Sequence, residues 1–230
     1  MTENQIAKRI YVSVVTFLGD WRQMIKDVNR FKLEEISLFL TGINYRERQE
    51  LYKILDQSVV KKIPHVHARH DMKESELDYF VQQYKTKVFT IHFQFLKYFK
   101  NSKHKKKFFI ETNGNRHRIK DLEVLKQVGG VCVDLSHVKQ FEVLNDPEFE
   151  VAKRAVDQYR VGCNHLSAVL ATGKSKHYAT RISQLNYVTT LPRKYFSSYI
   201  NIELANSISQ QLRFKKYLVK ILTKQWSKKS

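Results

Sequence analysis

The sequence predicts an α/β fold, a single (β/α)8 TIM barrel over residues 1–230, somewhat compact and with shortened helices. Three observations predict it. Short β-rich apolar runs alternate with helical patterns, which implies a parallel sheet. There are eight such runs, which suits a closed barrel better than an open doubly wound sheet. The chain also carries only 7 Gly and 3 Pro, little material for a linker or a long flexible segment.

The runs follow in order. IYVSVVT (Ile10 to Thr16), EISLFLTG (Glu35 to Gly42), IPHVHARH (Ile63 to His70) and KVFTIHF (Lys87 to Phe93) are the first four. FFIETNG (Phe108 to Gly114), GVCVDLSH (Gly130 to His137), VGCNHLSAV (Val161 to Val169) and YINIEL (Tyr199 to Leu204) complete eight. Apolar stripes at helical spacing lie between them. Trp21, Met24, Ile25, Val28 and Phe31 form one. Leu77, Phe80, Val81 and Tyr84 form another, with Asp71 and Glu74 as a candidate capping box. Ile119, Leu122, Leu125 and Val128 form a third, stopped by Gly129 and Gly130. Pro147 opens a helix with Ala152, Ala155, Val156 and Tyr159. The last carries Ile208, Leu212, Leu218, Ile221 and Leu222. With 230 residues, the chain is short against the ~250 typical of such barrels. The segments after the fourth strand (Gln94 to Lys107) and after the seventh are expected to be the irregular ones.

Composition narrows the setting. Apolar residues make up 42% and charged residues 27%, ordinary for a globular protein able to bury a full core. Cys132 and Cys163 both sit in apolar runs, so they read as reduced core residues and fit a cytoplasmic location. No signal peptide and no membrane-spanning run is found. The 41 Lys and Arg against 22 Asp and Glu give a net charge of +19. A field of that sign favours anionic partners, nucleic acid or sugar phosphate, or else marks a generally basic surface. The densest clusters are Lys103, Lys105, Lys106 and Lys107, and the tail from Lys215 to Lys229.

In a barrel of this kind, chemistry gathers at the C-terminal strand ends. There the sequence places His65, His67, His70, His92, Glu111, Asp134, His137, His165 and Glu203. An ionised carboxylate at the end of a buried strand is costly unless paired or metal-bound. Converging Glu, Asp and His side chains supply ligands suited to Zn²⁺ or Mn²⁺. A lone strand histidine such as His92 is more often a satisfied core residue, and so are His104 and His117 in basic loops. For Glu111, Asp134, His165 and Glu203, in matching places on four strands, a bland explanation would have to hold four times independently. They are the expected metal ligands.

The strings IPHVHARHD, TIHF, FFIETN, GVCVDLSH, NHLSAV and INIEL resemble the successive strand ends of the xylose isomerase-like divalent-metal TIM barrels. That superfamily includes endonuclease IV (the AP endonuclease family 2) and the sugar phosphate isomerases and epimerases related to tagatose 3-epimerase. The resemblance implies Glu111, Asp134, His165 and Glu203 as ligands of a Zn or Mn ion. It implies Glu111 and Glu203 as catalytic and His137, of the D-x-x-H motif, as a catalytic or substrate-binding residue. Asn113, Lys174 and Arg69 are further candidate substrate contacts. In the endonuclease branch two more histidines hold a second metal. His92 matches one, and His65 or His67 the other. That branch also carries an Asp-x-His pair after the seventh strand, whereas KSKHYATRISQL here has only His177.

Two features, the additional histidines and the +19 charge, tip the expectation toward an endonuclease IV-like phosphoester hydrolase acting on nucleic acid or a sugar-phosphate moiety, with one to two metal ions. The alternatives are a single-metal sugar or sugar-phosphate isomerase or epimerase, and a non-catalytic, metal-stabilised barrel.

Overall fold

The structure is a computed structural model and describes residues 1–114 and 118–227. A short helix α1 (Glu3–Ala7) leads into a first strand split in two, β1 (Ile10–Tyr11) and β2 (Ser13–Val15). Strands β3 (Ser37–Phe39), β4 (His65–His67), β5 (Val88–Ile91), β6 (Phe108–Glu111), β7 (Gly130–Asp134) and β8 (Val161–Leu166) follow. A small antiparallel pair, β9 (Ala168–Val169) and β10 (Ser175–Lys176), precedes β11 (Ile200–Ile202).

The main sheet is parallel, with hydrogen-bonded order β1-β11-β8-β7-β6-β5-β4-β3-β2. Its two ends, β1 and β2, are consecutive in the chain through Val12, whose carbonyl accepts the Ser37 N–H at 2.9 Å. The sheet therefore comes round on its own first strand, and the eight apolar runs of the sequence supply the eight strand positions of a barrel.

Helices α2 (Trp21–Arg30), α3 (Tyr45–Asp56) and α4 (Glu74–Gln83) cover the strands from β2 to β5. Helices α5 (Leu135–Val143) and α6 (Glu148–Gln158) link β7 to β8, and α7 (Ile208–Ser227) ends the described chain. The apolar stripes of α2, α4, α6 and α7 pack inward as expected, with Val28, Leu77, Phe80, Ala155, Leu218 and Leu222 fully buried, except that Phe31 falls just past the end of α2 and is exposed. No helix among the described residues is long and apolar enough to cross a membrane.

Two expectations change. The stripe from Ile119 to Val128 is a short 3₁₀ segment, Leu122–Gln127, in place of a full helix. Ile119, Leu125 and Val128 are buried all the same, so the stripe packs without helical turns to carry it. Gly130 ends it with φ +133°, where an added Cβ would lie 2.2 Å from the Arg160 carbonyl oxygen. The capping box of α4 is also shifted. Glu76 accepts the Lys73 N–H at 2.9 Å, while Asp71 accepts from Arg48 and Arg69.

As expected, the segments after β5 and β8 are irregular. The first is two 3₁₀ pieces, Phe93–Phe99 and Lys105–Lys107. The second is the β9–β10 pair with 3₁₀ pieces at Ile182–Thr189 and Arg193–Tyr195. Cys132 and Cys163 are free and buried on adjacent strands, in a small cluster with Val88 and Phe109. Their burial explains why the Cys132 thiol is pushed well above its usual range. Above that apolar cluster the interior turns polar, with Ser37, Thr90, His65, His165 and Asn201 all buried.

Candidate metal centre

Strand alternation puts every second side chain on one face. The face shared by His65, His67, Thr90, Glu111, Asp134 and His165 looks into the barrel. Their positions along the strands set their height. His67, Glu111 and Asp134 are the last residues of β4, β6 and β7. His92 and Glu203 come directly after β5 and β11. These five stand at the mouth with His165, which sits opposite Asp134 in the sheet register.

His165 is the hub. Its Nδ1 lies 3.4 Å from Glu111 Oε2 and 3.5 Å from Glu203 Oε2. Its Nε2 contacts Thr90 Oγ1 and His65 Nε2, both at 3.2 Å. Glu111 Oε2 also meets His67 Nε2 at 3.0 Å and His92 Nε2 at 3.3 Å. The other oxygen, Oε1, accepts from Asn113 Nδ2 at 3.0 Å, so Asn113 orients Glu111. The Phe39 ring packs against His65, His67 and His165, at 5.2, 5.8 and 4.9 Å between centroids, and limits how those rings can turn.

Asp134 does two jobs because it is at once the end of β7 and the N-cap of α5. Its Oδ1 accepts the N–H groups of Ser136 and His137, at 2.9 Å each, and the Ser136 hydroxyl at 2.5 Å. That leaves Oδ2 turned to the mouth, 3.8 Å from His137 Nε2. Buried polar atoms nearly always find a partner. Yet Asp134 Oδ2, His165 Nδ1 and Glu203 Oε2 are buried with no hydrogen bond.

Donor atoms of Asp134, His165 and Glu203 lie within 4.8 Å of one another, as do those of His67, Glu111 and His165, and those of Glu111, Asp134 and His137. Bonds of about 2.0–2.2 Å from an ion to N or O place opposite donors roughly 4–4.4 Å apart. The spacing, the open lone pairs and the N/O donor set all fit a divalent first-row ion.

The electrostatics follow from burial and crowding. Burial pushes the Glu203 carboxyl well above the usual range; His165 opposes this, while Glu111 and Asp134 add to it. Burial acts the same way on Glu111, but His165, His92 and His67 outweigh it and hold that carboxyl well below the usual range. Burial lowers His67 to about 4 despite Glu111, and lowers His65 well below its ordinary value, so both rings are neutral. His165 goes the other way: burial would lower it, but Cys132, Glu111 and Glu203 outweigh burial and hold it well above its ordinary value, so an ion binding there would displace a proton.

The structure thus brings together Glu111, Asp134, His165, Glu203, His67, His92 and His137, with Asn113 beside them. It separates His65 from the mouth. His65 lies one layer deeper, its Nε2 held by Thr90 at 3.0 Å, so of the two β4 histidines it is His67 that reaches Glu111. Nor is Arg69 brought to the cluster. Its Nε and Nη1 are bound to Asp71 and the Ile43 carbonyl, both at 3.0 Å, which ties down the loop after β4. Lys174 is exposed in the β9–β10 turn, where its carbonyl accepts the Leu170 N–H. His104 pairs with Asp78 at 2.8 Å, away from the mouth, as a bland loop histidine would. His117 lies outside the described residues.

Three further residues belong to the site. Thr90 bridges His65 and His165; its signal in KVFTIHF is the two-residue spacing from His92, which places both on one strand face. Phe39 gives no such signal. His177 sits with Nδ1 3.1 Å from Ser167 Oγ and 3.9 Å from Glu203 Oε2, with the Phe17 ring edge-on at 5.0 Å.

No family model matches the sequence, and no curated protein does. Among solved structures, a crystal structure described as a D-tagatose 3-epimerase-like protein is similar over 96% of this chain and 100% of that one, with a TM-score of 0.58 and 12% identity. At that identity the likeness is one of fold. With eight parallel strand positions in a sheet that comes round on itself, this chain shares a TIM-barrel-like fold with that structure.

Proposed function

We propose that this protein is a divalent-metal-dependent isomerase or epimerase acting on a sugar or sugar phosphate, with Glu111, Asp134, His165 and Glu203 as the metal ligands. One observation carries the reading. Three buried atoms without a hydrogen bond, Asp134 Oδ2, His165 Nδ1 and Glu203 Oε2, face one another beside Glu111 Oε2. The fold likeness to an epimerase-like protein supports the sugar chemistry.

A bound ion would hold the substrate oxygens and polarise a carbonyl. The chain's own residues do the rest. Glu111 and Glu203 flank His165 Nδ1 at 3.4 and 3.5 Å. One carboxylate takes the proton from the carbon beside the carbonyl and the other returns one. His137, half-buried at 19% side-chain exposure next to Asp134, contacts a substrate hydroxyl. His67 and His92 hold Glu111 in place. The +19 charge draws an anionic substrate toward the mouth.

The test is exchange of solvent deuterium into a panel of ketoses and ketose phosphates with Mn²⁺ or Zn²⁺ present. Exchange is expected in the loaded protein and is abolished by Glu111→Gln and by Glu203→Gln. Exchange that survives in either variant, or after the metal is stripped, overturns the reading.

A second reading, a two-metal phosphoester hydrolase, has its own observation. His67 Nε2 and His92 Nε2 converge on Glu111 Oε2 at 3.0 and 3.3 Å, a place where Glu111 would bridge two ions. Metal analysis separates the two. One ion per chain, unaffected by His92→Ala, supports the isomerase. Two ions, one lost with His92→Ala, together with cleavage of a phosphodiester, support the hydrolase.

A further inference from the structure

From His92 to Ile110 the chain carries Lys97, Lys100, Lys103, Lys105, Lys106 and Lys107 and no Asp or Glu. This stretch replaces the helix that would normally follow a barrel strand, and it starts at the mouth, one residue after the end of β5. Three of the six lysines are occupied. Lys103 pairs with Asp78, and Lys106 and Lys107 bond to the carbonyls of Lys126 and Thr86. Lys97, Lys100 and Lys105 form no ion pair among the described residues.

These three line one groove of 310 Å³, whose apolar lining includes Phe93, Leu96 and Val124. Lys97 and Lys100 are three apart at the end of a 3₁₀ segment, so they project from the same side, about 6 Å apart along its axis. Tyr98, a third of a turn round and outside the groove lining, is 56% exposed, with the Lys97 ammonium 5.1 Å from its ring centroid. A row of cations over an apolar trough is complementary to a chain of phosphates bearing flat apolar rings.

We infer that this groove binds single-stranded nucleic acid, with phosphates on Lys97, Lys100 and Lys105 and bases against the apolar trough. The site is separate from the sugar chemistry proposed above and needs no metal. Single strands suit it better than duplex, because only unpaired bases can reach the trough.

The test is fluorescence anisotropy with a labelled oligothymidylate and an oligouridylate, in chelator so that no metal contributes. Two variants carry the same change of net charge: Lys97→Glu/Lys100→Glu/Lys105→Glu in the groove, and Lys216→Glu/Lys220→Glu/Lys224→Glu on the exposed side of α7. All six are surface lysines, and unchanged melting confirms intact variants. Each phosphate contact contributes about −0.7 to the slope of log K against log salt for single strands. The groove variant is expected to flatten that slope by about 2 and to weaken binding more than tenfold, with the α7 variant much less affected. Equal weakening in both would reduce the effect to net charge and overturn the proposal. So would a wild-type protein that ignores both oligonucleotides at low salt, or one that binds phosphatidylserine vesicles in their place.

Discussion

Asp134 caps the helix that carries His137: one carboxylate oxygen accepts the His137 N–H at 2.9 Å, and the other faces the barrel mouth without a partner. Asp134→Asn keeps a good N-cap while removing the charged oxygen. Stability should change by less than about 1 kcal/mol. Metal affinity should fall by more than tenfold, since even outer residues of metal sites typically contribute 10–100-fold. Thermal melting and isothermal titration with Zn²⁺ would check the pair of outcomes. Unchanged affinity would remove Asp134 from the ligand set.

Thr90 Oγ1 sits between His65 Nε2 at 3.0 Å and His165 Nε2 at 3.2 Å. Thr90→Val keeps the volume and removes the hydroxyl. The His165 ring then loses the bond that sets its rotation, and metal binding is expected to weaken by about 10–100-fold. Competition against a chromogenic chelator would measure it. Full affinity in the variant would make Thr90 a core residue only.

Metal binding should stabilise the fold by mass action. At a free ion concentration 100 times Kd the gain is about 2.7 kcal/mol. Melting in Mn²⁺ or Zn²⁺ against chelator would show it, and Glu203→Gln should remove most of the difference. Identical melting curves for the wild-type protein with and without metal would count against a bound ion.

Outside the polar cluster, Arg48 is fully buried and bonded to Glu76, Nε to Oε1 at 2.8 Å and Nη2 to Oε2 at 3.2 Å. The Tyr52 hydroxyl donates to Glu76 at 2.8 Å, and Asp71 accepts from Arg48 at 3.0 Å. Removing Glu76 takes away two bonds of the buried guanidinium and leaves it only the more exposed Asp71 as a carboxylate partner, at a cost approaching the roughly 3–5 kcal/mol of a broken buried pair. Glu76→Ala should destabilise the protein by that amount in urea unfolding, with the site's metal affinity at saturation unchanged. A loss under about 1 kcal/mol would show that the pair contributes little.

Burial pushes Tyr84 and Tyr195 up to about 12 from an ordinary value of 10.0. Both are buried, Tyr84 at 2% and Tyr195 at 3% exposure. A group raised on folding stabilises the native state below its unfolded value, and that contribution is lost as pH rises through the folded value. Stability should therefore hold up to about pH 10 and fall between pH 10 and 12. Phenolate absorbance followed alongside urea unfolding would reveal late-titrating tyrosines in the folded protein. Normal titration near 10 in the native state would contradict their burial.

The sequence by itself determined the eight strands, because each pairs a short apolar run with a polar end that a barrel places over its mouth. It determined α2, α4, α6 and α7 through their apolar stripes, and it singled out Glu111, Asp134, His165 and Glu203. Helices α1, α3 and α5 escaped it. The inner face of α3 includes the buried Arg48, a charge that hides the stripe. The first turn of α5 continues directly from the strand that carries Asp134. Only the tertiary structure decided between His65 and His67. Alternation in β4 puts both on one face, but the partner of each ring is set by side-chain contacts across strands: the register puts His67 opposite Thr90 and His65 opposite Val88, yet His65 Nε2 meets Thr90 Oγ1 while His67 Nε2 reaches Glu111. The same limit holds for Arg69, which is taken up by Asp71 and the Ile43 carbonyl, and for Lys174, carried outward in a turn. Periodicity reports which side of a strand a residue occupies. Depth within the barrel, and which lone pair remains open after the caps and neighbours are satisfied, depend on contacts between residues distant in the chain.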